Sequence, residues 1–276
     1  MQRLTLGWKC CNSVLKIMSF NQLKQVSRIC HGEGSYFLFV EEWDTKRQYL
    51  AVYNQDIPRL INEYKLSEKK PYELDPKITL IDQAPRLRLS SSCEAASNCL
   101  YSMAEIAAQF GNKVSKGLLP ASFNKLRKRY EGGDFRDIGL IDWVTDFQWY
   151  KKVRELRTEW AHYSTIFIGE DDNKEPILVV KSHRRHSDRE EFKEEILQIN
   201  INDLVGWINK AINTIDSYGN FLLVKYILPS LDLDREFISP VYDKNGFPII
   251  KPNHRFEVET VTVEEHLRRC GIAIPR

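Results

Sequence analysis

The sequence predicts a mainly α fold: a helical bundle interrupted by a β-hairpin insertion, with mixed α/β extensions before and after it. Two apolar stripes and one strand pair carry that prediction. Trp149, Val153, Leu156 and Trp160 recur at i, i+4, i+7 and i+11, one face of a helix. Leu204, Ile208, Ala211, Ile215 and Leu222 give a second such stripe further on. Between the two, Ser164 to Ile168 (STIFI) and Ile177 to Val180 (ILVV) flank an acidic GEDDNKE loop, which is a hairpin signal.

With 276 residues, the chain has room for one core domain with extensions. The expected division is an N-terminal extension over 1–88, a helical domain over 89–228 and a C-terminal extension over 229–276. Hydrophobic residues make up 42% and charged residues 28%, a globular and not a disordered balance. The net charge of +2 excludes polyanion binding by bulk charge, so nucleic-acid contact has to come from local basic patches. The cysteines (10, 11, 30, 93, 99 and 270) form no C-x-x-C pair and suit reduced thiols in a cytosolic protein. The N-terminus lacks the apolar core of a signal peptide, and no stretch has the ~20 apolar residues of a membrane span. The expectation is a cytoplasmic protein with no membrane association.

In the first extension, Ser35 to Val40 (SYFLFV) and Gln48 to Tyr53 (QYLAVY) are aromatic and β-branched runs that read as two strands. Asp56-Ile57-Pro58 then opens a short helix through Tyr64, and the prolines from Pro71 through Pro85 mark a linker or surface wrap. Ser90 to Ser92 lead into an Ala-rich helix running to about Phe110, which Gly111-Asn112 can end. A second helix covers Ala121 to Tyr130 and is closed by Gly132-Gly133. The third helix, carrying the first stripe, is expected over roughly 138–164. Ile196 to Ile199 offers a third strand after the hairpin, Asn202-Asp203 caps the last long helix, and Pro229 stops it. Beyond it, Asp243 to Gly246 reads as a hairpin turn and Thr262 to Cys270 as a short helix.

Function is expected on the third helix, in Arg157-Thr158-Glu159-Trp160-Ala161-His162. His162 falls away from the Trp149 stripe, with Thr158 and Glu159 as its helical neighbours and Arg154 and Lys151 further back on the same side. Arg157 and His162 are five residues apart, about 7.5 Å of rise and roughly 140° of rotation on an ideal helix. That spacing favours a site built across a homodimer, as does a second face comprising Val144, Phe147 and Arg154. A neutral imidazole can take a proton from a ribose 2′-hydroxyl or give one to a leaving 5′-oxygen. A guanidinium can stabilise the charge that grows on phosphorus, and neither role needs a metal or cofactor.

Arginine, a polar residue, three more residues and histidine near the end of a long helix resembles the HEPN superfamily (higher eukaryotes and prokaryotes nucleotide-binding). Its helix order also resembles residues 88–228. The resemblance implies a bundle that dimerises through the motif helices. It further implies a metal-independent endoribonuclease with Arg157 at the phosphate, His162 catalytic, and Thr158, Glu159 and Arg154 in support. Many members work in toxin–antitoxin, phage-defence or CRISPR systems, so an antitoxin or defence-system partner protein is implied too. The polar position after Arg is commonly Asn, Asp or His in active members. Here it is Thr158, which fits a silent module that dimerises and binds RNA or a protein.

Three further patterns stand outside the motif. Lys125, Arg127, Lys128 and Arg129 make a basic run suited to a solvated helix face or to an RNA backbone. His183 to His186 (HRRH) suits phosphate better than metal, since no further ligand stands at metal spacing. Asp142 and Asp146 stand at i, i+4 near the start of the motif segment, where acidic residues complement the helix dipole.

Overall fold

Val40, Trp43, Leu50, Ile57, Ile61 and Tyr64 are buried at spacings of three, four or seven, and they form one side of a single helix, α2 (Ser35–Leu66). The structure is a computed structural model that describes residues 20–29, 35–67, 69–72, 75–81, 83–144, 146–162, 164–185, 192–241, 249–253, 255–272 and 274. It divides into two compact units, one comprising Glu42–Tyr218 and the other Met1–Glu41 with Gly219–Arg276. The architecture is mainly helical with small antiparallel sheets.

Helix α2 overturns the two strands and the short helix expected over 35–64. The aromatic and β-branched runs have local strand character, but the longer period buries a continuous stripe, and tertiary burial outweighs local propensity. Pro58 lies inside the helix and is exposed, so its missing N–H interrupts the ladder on the solvent side. The proline-studded segment is not a linker either. Its backbone forms a hairpin of β1 (Lys69–Tyr72) and β2 (Asp75–Ile81), paired antiparallel.

Helix α3 (Gln83–Val114) begins earlier and ends later than its sequence signals, so a division at residue 88 falls inside it. Pro85 sits in its first turn, where a missing N–H costs nothing. Gly111 does not end the helix. A Cβ there would meet the Tyr218 hydroxyl oxygen at 2.0 Å, so glycine permits the close approach of α6 (Ile201–Leu222). Helix α2 joins the same bundle: Trp43 packs edge-on against Phe110 at 6.2 Å, and the Arg47 guanidinium donates to Asp216 of α6 at 2.6 Å.

Helix α4 (Phe123–Glu131) forms as the spacing predicts, closed by Gly132. The motif helix α5 is shorter than expected, running Gln148–His162. Before it, Gly139 takes a left-handed turn (φ 76°) that only glycine adopts freely, followed by a 3₁₀ turn over Leu140–Asp142. Asp142 therefore lies off the motif helix. Asp146 accepts from the Gln148 amide at 2.6 Å and helps close the helix N-terminus.

Strands β3 (Ser164–Glu170), β4 (Pro176–Arg185) and β5 (Phe192–Asn200) form the expected antiparallel meander, with Phe167 opposite Val179 and Val179 opposite Gln198. The cap of α6 is Asn200, which accepts from the Asn202 amide at 2.9 Å, two residues before the expected one. Leu204, Ile208, Ala211, Ile215 and Leu222 are all buried, as the period requires. After Leu222 the chain continues in a π-helical turn over Leu223–Ile227 and a 3₁₀ turn containing Pro229.

In the other unit, α1 (Phe20–Ile29) buries Leu23 and Val26. The ribbon of β6 (Glu236–Pro240) and β7 (Val258–Thr262) leads into α7 (Val263–Arg269), whose first turn is capped by the Thr262 hydroxyl. The turn at 243–246 lies outside the described residues. No helix among the described residues is long and apolar enough to cross a membrane.

Candidate functional site

Helix α5 is held by an aromatic cluster built from α4 and the segment before α5. The Phe123 ring meets Phe147 at 5.1 Å, Trp149 at 5.7 Å and Tyr150 at 4.7 Å, and Tyr130 meets Phe147 at 4.9 Å. The Tyr130 hydroxyl donates to the Val144 carbonyl. Val144 and Phe147 are both 1% exposed, so the second face expected to need a partner subunit is covered within the protomer itself. Of that face only Arg154 is exposed. The stripe facing the core comprises Trp149, Tyr150, Val153 and Leu156; Trp160, expected as its last member, is half-buried.

Arg157 lies at the edge of that stripe. Its guanidinium carbon stands 4.4 Å from the centre of the Tyr101 ring on α3. Among the described residues no carboxylate pairs with Arg157. An aromatic face holds a cation without neutralising it, so the guanidinium keeps its charge and its five donors for an anion.

His162 is the last residue of α5. Its side chain lies outside the described residues. Thr158 donates its hydroxyl to the Arg154 carbonyl at 2.8 Å, a local back-bond along the helix. Glu159 is 6% exposed, so it departs from the expected polar face beside His162 and joins the buried side of α5.

The basic run on α4 is not one surface. Lys125 and Lys128 are exposed, with no ion pair among the described residues. Arg127 is 9% exposed and donates to Glu131 at 2.5 Å and to Asn124 at 3.3 Å, so it is removed from the expected RNA contact by burial and by its own carboxylate. Arg129 is exposed, paired with Asp134 at 3.0 Å and laid over the Phe135 ring at 4.8 Å. The side chains of His183 to His186 lie outside the described residues. Nearby, a cavity of about 170 Å³ is lined by Tyr130, Glu131, Gly133, Phe135, Arg136 and Ile141 and contains none of the motif residues.

The surroundings of Arg157 contain three residues that sequence reasoning missed. The Tyr101 ring stacks on Tyr150 at 5.8 Å with an interplanar angle of 19°. The Tyr150 hydroxyl donates to Glu105, and a second Glu105 oxygen accepts from the Phe123 amide at 3.4 Å. The signal was a pair of spacings, Tyr101 and Glu105 at i, i+4 on α3 and Tyr150 and Arg157 at i, i+7 on α5, each a single helix face. Burial, and then the Glu105 carboxylate, push the Tyr150 hydroxyl far up, so it stays a protonated donor at neutral pH.

The free thiols among the described residues are not poised for chemistry. Burial pushes Cys93 up to about 12 and Cys99 up to about 11.

No protein-family model matches the chain, and neither a curated protein nor a solved structure matches it.

Proposed function

We propose that the chain is a metal-independent endoribonuclease of HEPN type, with Arg157 and His162 at a site completed by a second copy of the chain. The observation that carries this reading is the half-buried Arg157, cationic on an aromatic seat and without a carboxylate among the described residues. A guanidinium so placed suits a phosphate whose charge grows in the transition state. His162, five residues on, supplies a group able to move the 2′-hydroxyl proton. The helix separation keeps the two apart on one copy, so the working pair joins Arg157 of one protomer to His162 of its partner. Exposed Lys125 and Lys128 supply the RNA-backbone contacts. The setting carried by the resemblance is a toxin–antitoxin or phage-defence system in the cytoplasm, with an antitoxin or defence-system protein as the regulating partner.

The test is cleavage of RNA by purified protein in the presence of EDTA. The products should carry a 2′,3′-cyclic phosphate or its hydrolysis product, and 2′-deoxyribose at the scissile position should make the substrate inert. Cleavage that survives His162→Ala, or none at all from protein freed of any partner, overturns the reading.

A second reading has an observation of its own. The Thr158 hydroxyl is engaged with the Arg154 carbonyl and is not offered to a ligand. That favours a silent module that dimerises and binds RNA or a protein through the same helix. RNA binding without cleavage, weakened by Arg157→Ala, would establish it.

A further inference from the structure

We infer that Tyr101 is the positioning residue of this site, its ring being the seat that presents the Arg157 guanidinium to the scissile phosphate. The inference rests on the ribonuclease reading.

An arginine side chain carries several rotatable bonds, and a catalytic guanidinium that samples all of them loses most of its advantage. Proteins commonly fix such a group with a carboxylate, which also cancels the charge. Here the fixing surface is the Tyr101 ring, 4.4 Å from the guanidinium carbon, which restrains the group and leaves its charge.

The seat is itself held. Tyr101 is half-buried and stacks on Tyr150, which is 0% exposed in the cluster around Phe123. Tyr150 is tied by its hydroxyl to Glu105, one helical turn beyond Tyr101 on α3, and Glu105 also accepts from the first residue of α4. Three helices thus set the plane of one ring, and that ring sets one cation. The one carboxylate in this set, Glu105, accepts from Tyr150 and from the Phe123 amide, and no carboxylate among the described residues pairs with Arg157. Arg157 meets Tyr101 through the ring, whereas the Tyr101 hydroxyl lies within hydrogen-bonding reach of the Tyr150 hydroxyl. The phenylalanine variant of Tyr101 is therefore the informative control.

The test compares full-length wild type, Tyr101→Phe and Tyr101→Leu. Cleavage of an oligoribonucleotide is measured in EDTA, alongside the ring-current shift of the Arg157 side-chain N–H resonance by NMR. Tyr101→Leu should lower kcat on the order of 10²-fold with KM little changed, as misplacement of a catalytic group does. Tyr101→Phe should stay close to wild type. The upfield Arg157 resonance should appear in wild type and Tyr101→Phe and vanish in Tyr101→Leu. Wild-type activity in Tyr101→Leu overturns the inference, as does equal loss in both variants or no ring-current shift in wild type. A wild-type protein that shows the shift but cuts no RNA overturns the ribonuclease reading, and the positioning role falls with it. Cleavage unaffected by Tyr101→Leu overturns the positioning role alone.

Discussion

Arg127 on α4 and Arg157 on α5 belong to the same unit and are both withdrawn from bulk water, yet they face opposite surroundings. Arg127 meets the Glu131 carboxylate one turn along its own helix, and Arg157 meets the ring of Tyr101 on another helix. The first guanidinium is neutralised and structural; the second is restrained and still charged. A basic run in a sequence thus says little about where an anion can bind. What matters is what lies opposite each cation, and that is set by helix packing. In the run Lys125 to Arg129, packing leaves the two lysines as the unpaired cations among the described residues.

The largest effect is expected on the buried face of α5. Trp149→Ala should cost about 3–5 kcal/mol of stability, the range for a truncated buried aromatic, and should displace Arg157 with it. Trp160→Ala, at a half-buried site, should cost clearly less. Equal losses in thermal unfolding would mean that the buried face of α5 is wrongly assigned.

Next come the two arginines themselves. Arg157→Ala should cut cleavage on the order of 10²- to 10³-fold, as loss of a transition-state donor does, with a small change in unfolding temperature. Arg127→Ala should do the reverse, costing about 0.5–1.5 kcal/mol because it removes a buried guanidinium with its bonds to Glu131 and Asn124, and leaving cleavage per folded molecule unchanged. A variant pair that behaves identically in both assays would erase the distinction drawn here.

A smaller effect concerns affinity. Lys125→Ala and Lys128→Ala should each weaken RNA binding and reduce the salt slope by about one, whereas Arg127→Ala should leave the slope unchanged. Anisotropy titrations at several salt concentrations measure this directly.

Much of this geometry was legible in the sequence, and the failures have physical causes. The helix α4, the meander β3–β5, α6 and α7 followed from period, caps and glycine stops, because local chemistry and tertiary burial agree there. Over 35–64 they disagree. SYFLFV and QYLAVY look like strands within six residues, and only the longer Trp43–Leu50–Ile57–Tyr64 repeat reveals the helix. The start of α5 lies later than expected because the apolar residues from Ile138 resemble a helix entry, while Gly139 turns the chain the other way. The expectation of an open second face failed because Val144 and Phe147 find their partners on α4, which no spacing within α5 reports. Arg157 stands in its motif; its seat lies on another helix, and the i, i+4 spacing of Tyr101 and Glu105 does not report which helix packs against it.

The smallest effect separates two histidines. His266, buried in the other unit beside Ser239 and Cys270 at 3.5 Å each, is pushed below its ordinary value by burial and by Arg269. Its folded form resists protonation, so the stability present above the ordinary histidine value near 6.5 should decline as pH falls through the lowered one. His266→Gln should flatten that acid loss in thermal melts and leave the pH profile of cleavage, assigned to His162, where it was. A shifted cleavage profile would move the proton-transfer role away from α5.

The central claim, a site that joins Arg157 of one copy to His162 of another, is tested most directly by mixing. Arg157→Ala and His162→Ala proteins, each strongly impaired alone, are unfolded, combined and refolded together, and RNA cleavage is assayed in EDTA. The mixture should recover cleavage, because a mixed dimer contains one site with both groups intact. A mixture that stays as impaired while the wild type, treated the same way, regains its cleavage would contradict the claim.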